Sequence, residues 1–124
     1  MFADANATAM IPAKDLARAI SWYEQKLGLK PARSDEYVAS YELTGVKAFL
    51  YQTQFAGTAQ HTLLSFNSAD LLADMVMMRK NGVIFEDYDL PGLQTENGVA
   101  SFGPVKNAWA RDSEGNILGF VEGM

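Results

Sequence analysis

The sequence predicts an α+β fold of two tandem βαβββ modules whose packed sheets leave a concave, mixed β-sheet cleft. Three observations lead there. Two amphipathic helical segments, "KDLARAISWYEQKLG" and "SADLLADMVMMRKNG", share one design; a short apolar strand precedes each; and alternating strands broken by turn residues follow each. A helix on one face of each sheet leaves the other face free to line a shared space.

The elements follow in order. "ATAMIPA" reads as the first strand. In the first helix Leu16, Ile20, Tyr23 and Leu27 recur at helical spacing, Asp15 is placed to cap the start and Gly28 to end it. "YVASYEL" and "KAFLYQT" follow as strands around a turn at Thr44 and Gly45. The second half opens on the strand "HTLLSFN", in which Thr62, Leu64 and Phe66 would point one way and His61, Leu63 and Ser65 the other. Its helix has Ser68 or Asp70 as cap, Leu71, Leu72, Met75 and Met78 as apolar stripe, and Gly82 as terminator. "GVASFG", "KNAWARD" and "NILGFVE" complete it. Asp15 and Asp70 stand 55 residues apart, and Gly28 and Gly82 keep nearly that offset, so internal duplication is the economical reading. One domain over 1-124 is expected, with module one at about 5-53 and module two at about 60-123, joined only by "QFAGTAQ". That connection and "DYDLPGLQTENG", which lacks a regular period, are candidate gating loops.

A net charge of −5 with scattered basic residues argues against a nucleic-acid partner. No apolar run reaches the roughly 18 residues of a membrane span, and "MFADANATAM" lacks the basic and apolar regions of a signal peptide, so a cytoplasmic location is expected. The absence of cysteine excludes disulfides, thiolate metal sites and a cysteine nucleophile.

The paired pattern, the run "DLARAISWYEQKLGL" and the closing "WARDSEGNILGFVE" resemble the vicinal oxygen chelate superfamily, the glyoxalase/bleomycin-resistance/dioxygenase fold. The D-x-x-G-N turn at Asp112, Gly115 and Asn116 carries Ser113 and Glu114 where the family usually has Pro-Asp. Enzymes of the family commonly hold one divalent metal through a first-strand and a late-strand side chain of each module. Carried onto this chain, the resemblance implies Thr8, Phe49, His61 and Gly119 at those positions, and only His61 is a good ligand. The inherited site reads as dismantled, and no metal or other cofactor is expected. Glu42 and Glu122 are conceivable replacements, although Glu122 is out of phase with Gly119.

His61, the sole histidine, is a candidate general base, yet no carboxylate or nucleophile stands at a recognisable spacing. Strand phase groups Met10, Phe49, Tyr51 and Leu63 with His61 on the concave face, and Trp109, Tyr41 and Phe102 are further candidates to line it. Gly119 would remove a ligand and open space beside His61. The resemblance therefore implies a metal-independent, antibiotic-resistance-like protein that binds or sequesters a hydrophobic or aromatic molecule, as a homodimer. The alternative is a glyoxalase-type lyase or isomerase, or an extradiol-type dioxygenase, with a relocated metal or His61 as base.

Overall fold

The computed structural model describes residues 1–124 and places helix α1 at Leu16–Leu27 and helix α2 at Leu71–Lys80. Local chemistry sets their ends. The Asp15 carboxylate accepts the Arg18 amide at 3.0 Å, satisfying a first-turn donor, and Gly28 (φ 71°) lets the Gly28 and Leu29 amides turn back onto the Glu24 and Tyr23 carbonyls. Leu16, Ala19 and Tyr23 are buried, while Ile20 and Leu27 pack half-buried against the core.

Asp70 caps α2 through the Ala73 amide at 3.2 Å; Ser68 supports it by accepting the Asp70 amide and donating to Asp74. Leu71, Met75 and Met78 form its buried stripe, but Leu72 is 51% exposed. The stripe expected from sequence is thus corrected at one position: one residue turns the helix by about 100°, which takes Leu72 away from its neighbour's face.

Strands β1 (Thr8–Ala13), β4 (Val46–Gln52), β3 (Val38–Leu43) and β2 (Arg33–Ser34) make the first sheet in that spatial order. Strands β5 (Thr62–Asn67), β10 (Ile117–Glu122), β9 (Val105–Arg111) and β8 (Ala100–Phe102) make the second. In each, the strand before the helix runs parallel to the last strand, and the remaining pairs are antiparallel. This is the mixed, duplicated α+β architecture expected from the sequence. One addition lies inside "DYDLPGLQTENG": β6 (Asp89–Leu90) and β7 (Leu93–Gln94) pair around Pro91-Gly92. The Asp87 carboxylate holds this hairpin's base by accepting Thr95 Oγ1 at 2.7 Å and the Gly98 amide at 2.9 Å.

Seventeen buried residues from both halves form one core between the helix-side faces. The D-x-x-G-N turn joins the halves. Asp112 accepts the Glu114 and Asn116 amides on Oδ1, and the Tyr23 hydroxyl (2.5 Å) and Asn116 Nδ2 (2.9 Å) on Oδ2. Asn116 Nδ2 also donates to the Pro12 carbonyl at 2.7 Å, and its Oδ1 accepts the Gly57 amide. Glu114 adds the Arg18 guanidinium at 2.8 Å and the Asp15 amide at 2.9 Å. A turn of the second half therefore binds the first half's helix, strand end and connecting loop. No helix is long and apolar enough to cross a membrane.

Candidate functional site

Strand alternation decides which residues face away from the helices. In the first sheet Ile11, Ala13, Ala39, Tyr41, Ala48 and Leu50 are buried on the helix side, so the intervening residues occupy the opposite face. Direct pairing then sets them in transverse rows: Met10, Phe49 and Ser40 form one, Thr8, Lys47 and Glu42 another, and Pro12, Tyr51 and Val38 a third. Met10 is 48% exposed beside the Phe49 position, giving this face an apolar and aromatic strip. Met10, Phe49 and Tyr51 are thus brought together. Tyr41 is not: it is buried on the helix side beside Tyr23, and burial, followed by the Glu24 charge, pushes its phenol up to about 12. Its hydroxyl has no hydrogen-bond partner.

The second sheet departs further from the strand phase read in the sequence. A register shift at Ile117/Leu118 pairs Ile117 with Thr62 but Leu118 with Leu64, so an extra residue on β5 breaks its alternation. Thr62 consequently joins Ser65 beside Gly119, where His61, Leu63 and Ser65 were expected to share a face. Leu63 packs against the buried core instead. His61 lies before the strand, is exposed, and its Nδ1 sits 3.1 Å from the Thr62 carbonyl oxygen. The gap at Gly119 is filled rather than opened: a Cβ built there would lie 2.5 Å from Ser65 Oγ and 3.3 Å from Thr62 Cγ2. Close approach of β5 explains this glycine.

Trp109, paired with Gly119, is half-buried on this face; its indole donates to Thr62 Oγ1 at 3.2 Å and meets the Tyr88 ring edge-on at 5.6 Å. Burial pushes the Tyr88 phenol up, the Glu86 charge adding to it. Asn107, two residues from Trp109 along β9, carries a buried Oδ1 with no partner. Phe102, 49% exposed, sits on the outer strand β8 opposite Val105. Tyr88 and Asn107 were not singled out from sequence, whereas Ser65 stands on the face the sequence indicates and Thr62 on the opposite one from that expected. The cavity beside Phe49 is lined by neither Trp109 nor Gly119.

The donors at the positions implied for a metal do not fit one. Thr8 neighbours Lys47, Phe49 and Gly119 bring no donor side chain, and His61 stands outside the sheet. Nowhere in the chain do three or more His, Asp or Glu side chains cluster to hold an ion. The two replacement carboxylates are engaged elsewhere: Glu122 accepts the Leu71 amide at 2.8 Å, and Glu42 lies 3.6 Å from Lys47 Nζ.

Two mixed sheets, each with a parallel outer pair and a helix on one face, define a duplicated βαβββ protein. The chain belongs to the Glyoxalase/Bleomycin resistance protein/Dioxygenase superfamily, whose family model matches residues 6–118. It is similar in structure to a glyoxalase/bleomycin resistance protein from Catenulispora acidiphila, with 20% identity, 96% of this chain and 98% of that one covered, and a TM-score of 0.71. It is similar also to a lactoylglutathione lyase from Agrobacterium tumefaciens (15% identity, 97% and 94% covered, TM-score 0.71). A third is TnmS3, an antibiotic binding protein from Streptomyces sp. CB03234 (16% identity, 98% and 98% covered, TM-score 0.67). At these identities the likeness is one of fold. No curated protein sequence matches the chain.

Proposed function

We propose that this chain is a metal-independent binding protein that holds a hydrophobic or aromatic organic molecule against the sheet faces turned away from its helices. The observation that carries the reading is the exchange of donors for apolar groups: the implied metal positions offer one histidine, itself outside the sheet, while Met10, Phe49 and Tyr51 are gathered on one face. Such a face recognises a flat, apolar ligand through ring contacts and burial, with Ser40 as a polar handle. Trp109, with the Tyr88 ring edge-on to it, forms a second aromatic surface on the other sheet.

A homodimer accommodates both surfaces in one cleft, because a second copy can set its Trp109 face against this chain's Phe49 face. Calorimetry and equilibrium dialysis against a panel of aromatic natural products test the binding, and sedimentation tests the dimer. The expected outcome is saturable binding that Phe49→Ala weakens about tenfold, the order expected on losing a buried ring contact. Failure of every panel member to bind overturns the reading. A catalytic role for His61 draws less support, since no carboxylate or nucleophile contacts it.

A further inference from the structure

We infer that the ligand of the first sheet's face is an organic anion, seated with its charged end against Arg33 and its aromatic body over Phe49; this rests on the binding role proposed above. The geometry is a single row. Arg33 pairs directly with Ser40, Ser40 with Phe49, and Phe49 with Met10, so four strands contribute side chains in line to one face. At about 4.8 Å between strands, the row spans roughly 14 Å from the backbone of Arg33 to that of Met10. It reads in order as a cation, a hydroxyl, a ring and an apolar cap.

Arg33 is free for this task. It takes part in no ion pair, the five pairs of the chain belonging to Arg18, Lys30, Lys47, Lys106 and Arg111. The other charges around it are committed. Lys47 and Glu42 face each other at 3.6 Å in the next row, and Asp35 Oδ1 accepts the Tyr37 and Val38 amides at 2.8 and 2.9 Å, closing the β2–β3 turn. Arg33, Ser40 and Phe49 also line one cavity of about 520 Å³, a volume suited to a small organic molecule; Asp35, Glu42 and Lys47 share its wall, and Met10 lies outside its lining. The forked guanidinium matches a carboxylate or sulfonate, whose oxygens accept paired N–H donors. A chain of net charge −5 repels anions as a whole, so any preference for one must come from a local group.

Two dyes of matched body separate the terms: 1-anilinonaphthalene-8-sulfonate carries the anion, and N-phenyl-1-naphthylamine lacks it. Their affinities are measured by fluorescence for the intact chain and for Arg33→Gln, Arg33→Lys and Phe49→Ala, with circular dichroism confirming that each is folded. Arg33→Gln should weaken the sulfonate dye about fivefold and leave the neutral dye unchanged, as for one charge-assisted contact on a partly solvated face. Arg33→Lys should fall between, and Phe49→Ala should weaken both dyes. If Phe49→Ala weakens both but Arg33→Gln leaves their ratio unchanged, the anionic assignment is overturned while the binding face stands. If neither dye binds, or Phe49→Ala alters neither, the binding role fails with it.

Discussion

Replacing Asp112 by alanine should destabilise the fold more than any other single change in the polar turn, by about 3–5 kcal/mol. Asp112 is only 6% exposed, and its carboxylate accepts four hydrogen bonds. Each such bond to a charged group contributes about 1.5–3 kcal/mol, but they share one side chain and water can re-enter the turn, so the sum is not reached. The donor with least recourse is the Tyr23 hydroxyl, on a residue 2% exposed. Burial, with Asp112's negative charge, keeps its phenol far above the ordinary range, so it remains a donor at every working pH. Tyr23→Phe alone should cost about 1–2 kcal/mol, since Asp112 retains three donors. In the Asp112→Ala background the same change should recover about 1 kcal/mol, because it removes an orphaned buried hydroxyl. Urea midpoints at constant slope for the four proteins give this double-mutant cycle. If Tyr23→Phe destabilises both backgrounds equally, the hydroxyl is not coupled to Asp112 and the inter-module tie is misassigned.

Glu114 gives a pH prediction. Burial would raise its pKa, but the Arg18 guanidinium, the Asp15 amide and the Ser113 hydroxyl outweigh that and hold it at about 2. A depressed carboxylate contributes stability that is complete above its unfolded pKa and lost as pH falls through its folded one, so the loss should run from about pH 4.5 down to about 2. Glu114→Gln should cost about 2 kcal/mol at neutral pH, discounted for the half-exposed Arg18, and flatten that acid limb in thermal melts. At the second sheet, Gly119→Ala should be destabilising by about 1 kcal/mol, and Ser65→Ala should relieve it, because only Ser65 Oγ lies within 3.0 Å of the new Cβ; equal stability of single and double variants would refute the contact. Metal analysis of protein purified without chelator should find no stoichiometric divalent ion, given the donor set at Thr8, Phe49, His61 and Gly119.

The fold was legible because its determinants are local and repeated. Caps at Asp15 and Asp70, the terminating Gly28, and apolar spacing on α1 each require only a few neighbouring residues, and all of them act as the sequence indicates. The two-residue strands were not legible: Arg33–Ser34 and the β6–β7 pair are too short to show an alternating period, and they exist because longer neighbours or an Asp87 anchor hold them. Arg33 was missed for that reason, although Ser40, between buried Ala39 and Tyr41, marks the face it shares. The turn "DSEGN" was readable as a family marker, but its work of binding two halves together was not, since its partners stand 59 to 104 positions away.

The candidate site failed to read correctly where one extra residue intervened. Period-two reasoning carries across a strand only while pairing is continuous, and the shift at Ile117/Leu118 resets it for everything N-terminal on β5. Leu63 is thereby assigned to the core, His61 loses its place in the sheet, and Thr62 joins Ser65, which keeps its expected face, beside Gly119. Alternation alone reads Gly119 as a ligand deleted to make room; its neighbours make it a glycine required by a close strand. On the first sheet no bulge interrupts β1, β4 or β3, and there Met10, Phe49 and Tyr51 stand together as alternation demands. The face with unbroken register, whose row ends at Arg33, is therefore where ligand contacts should be sought first.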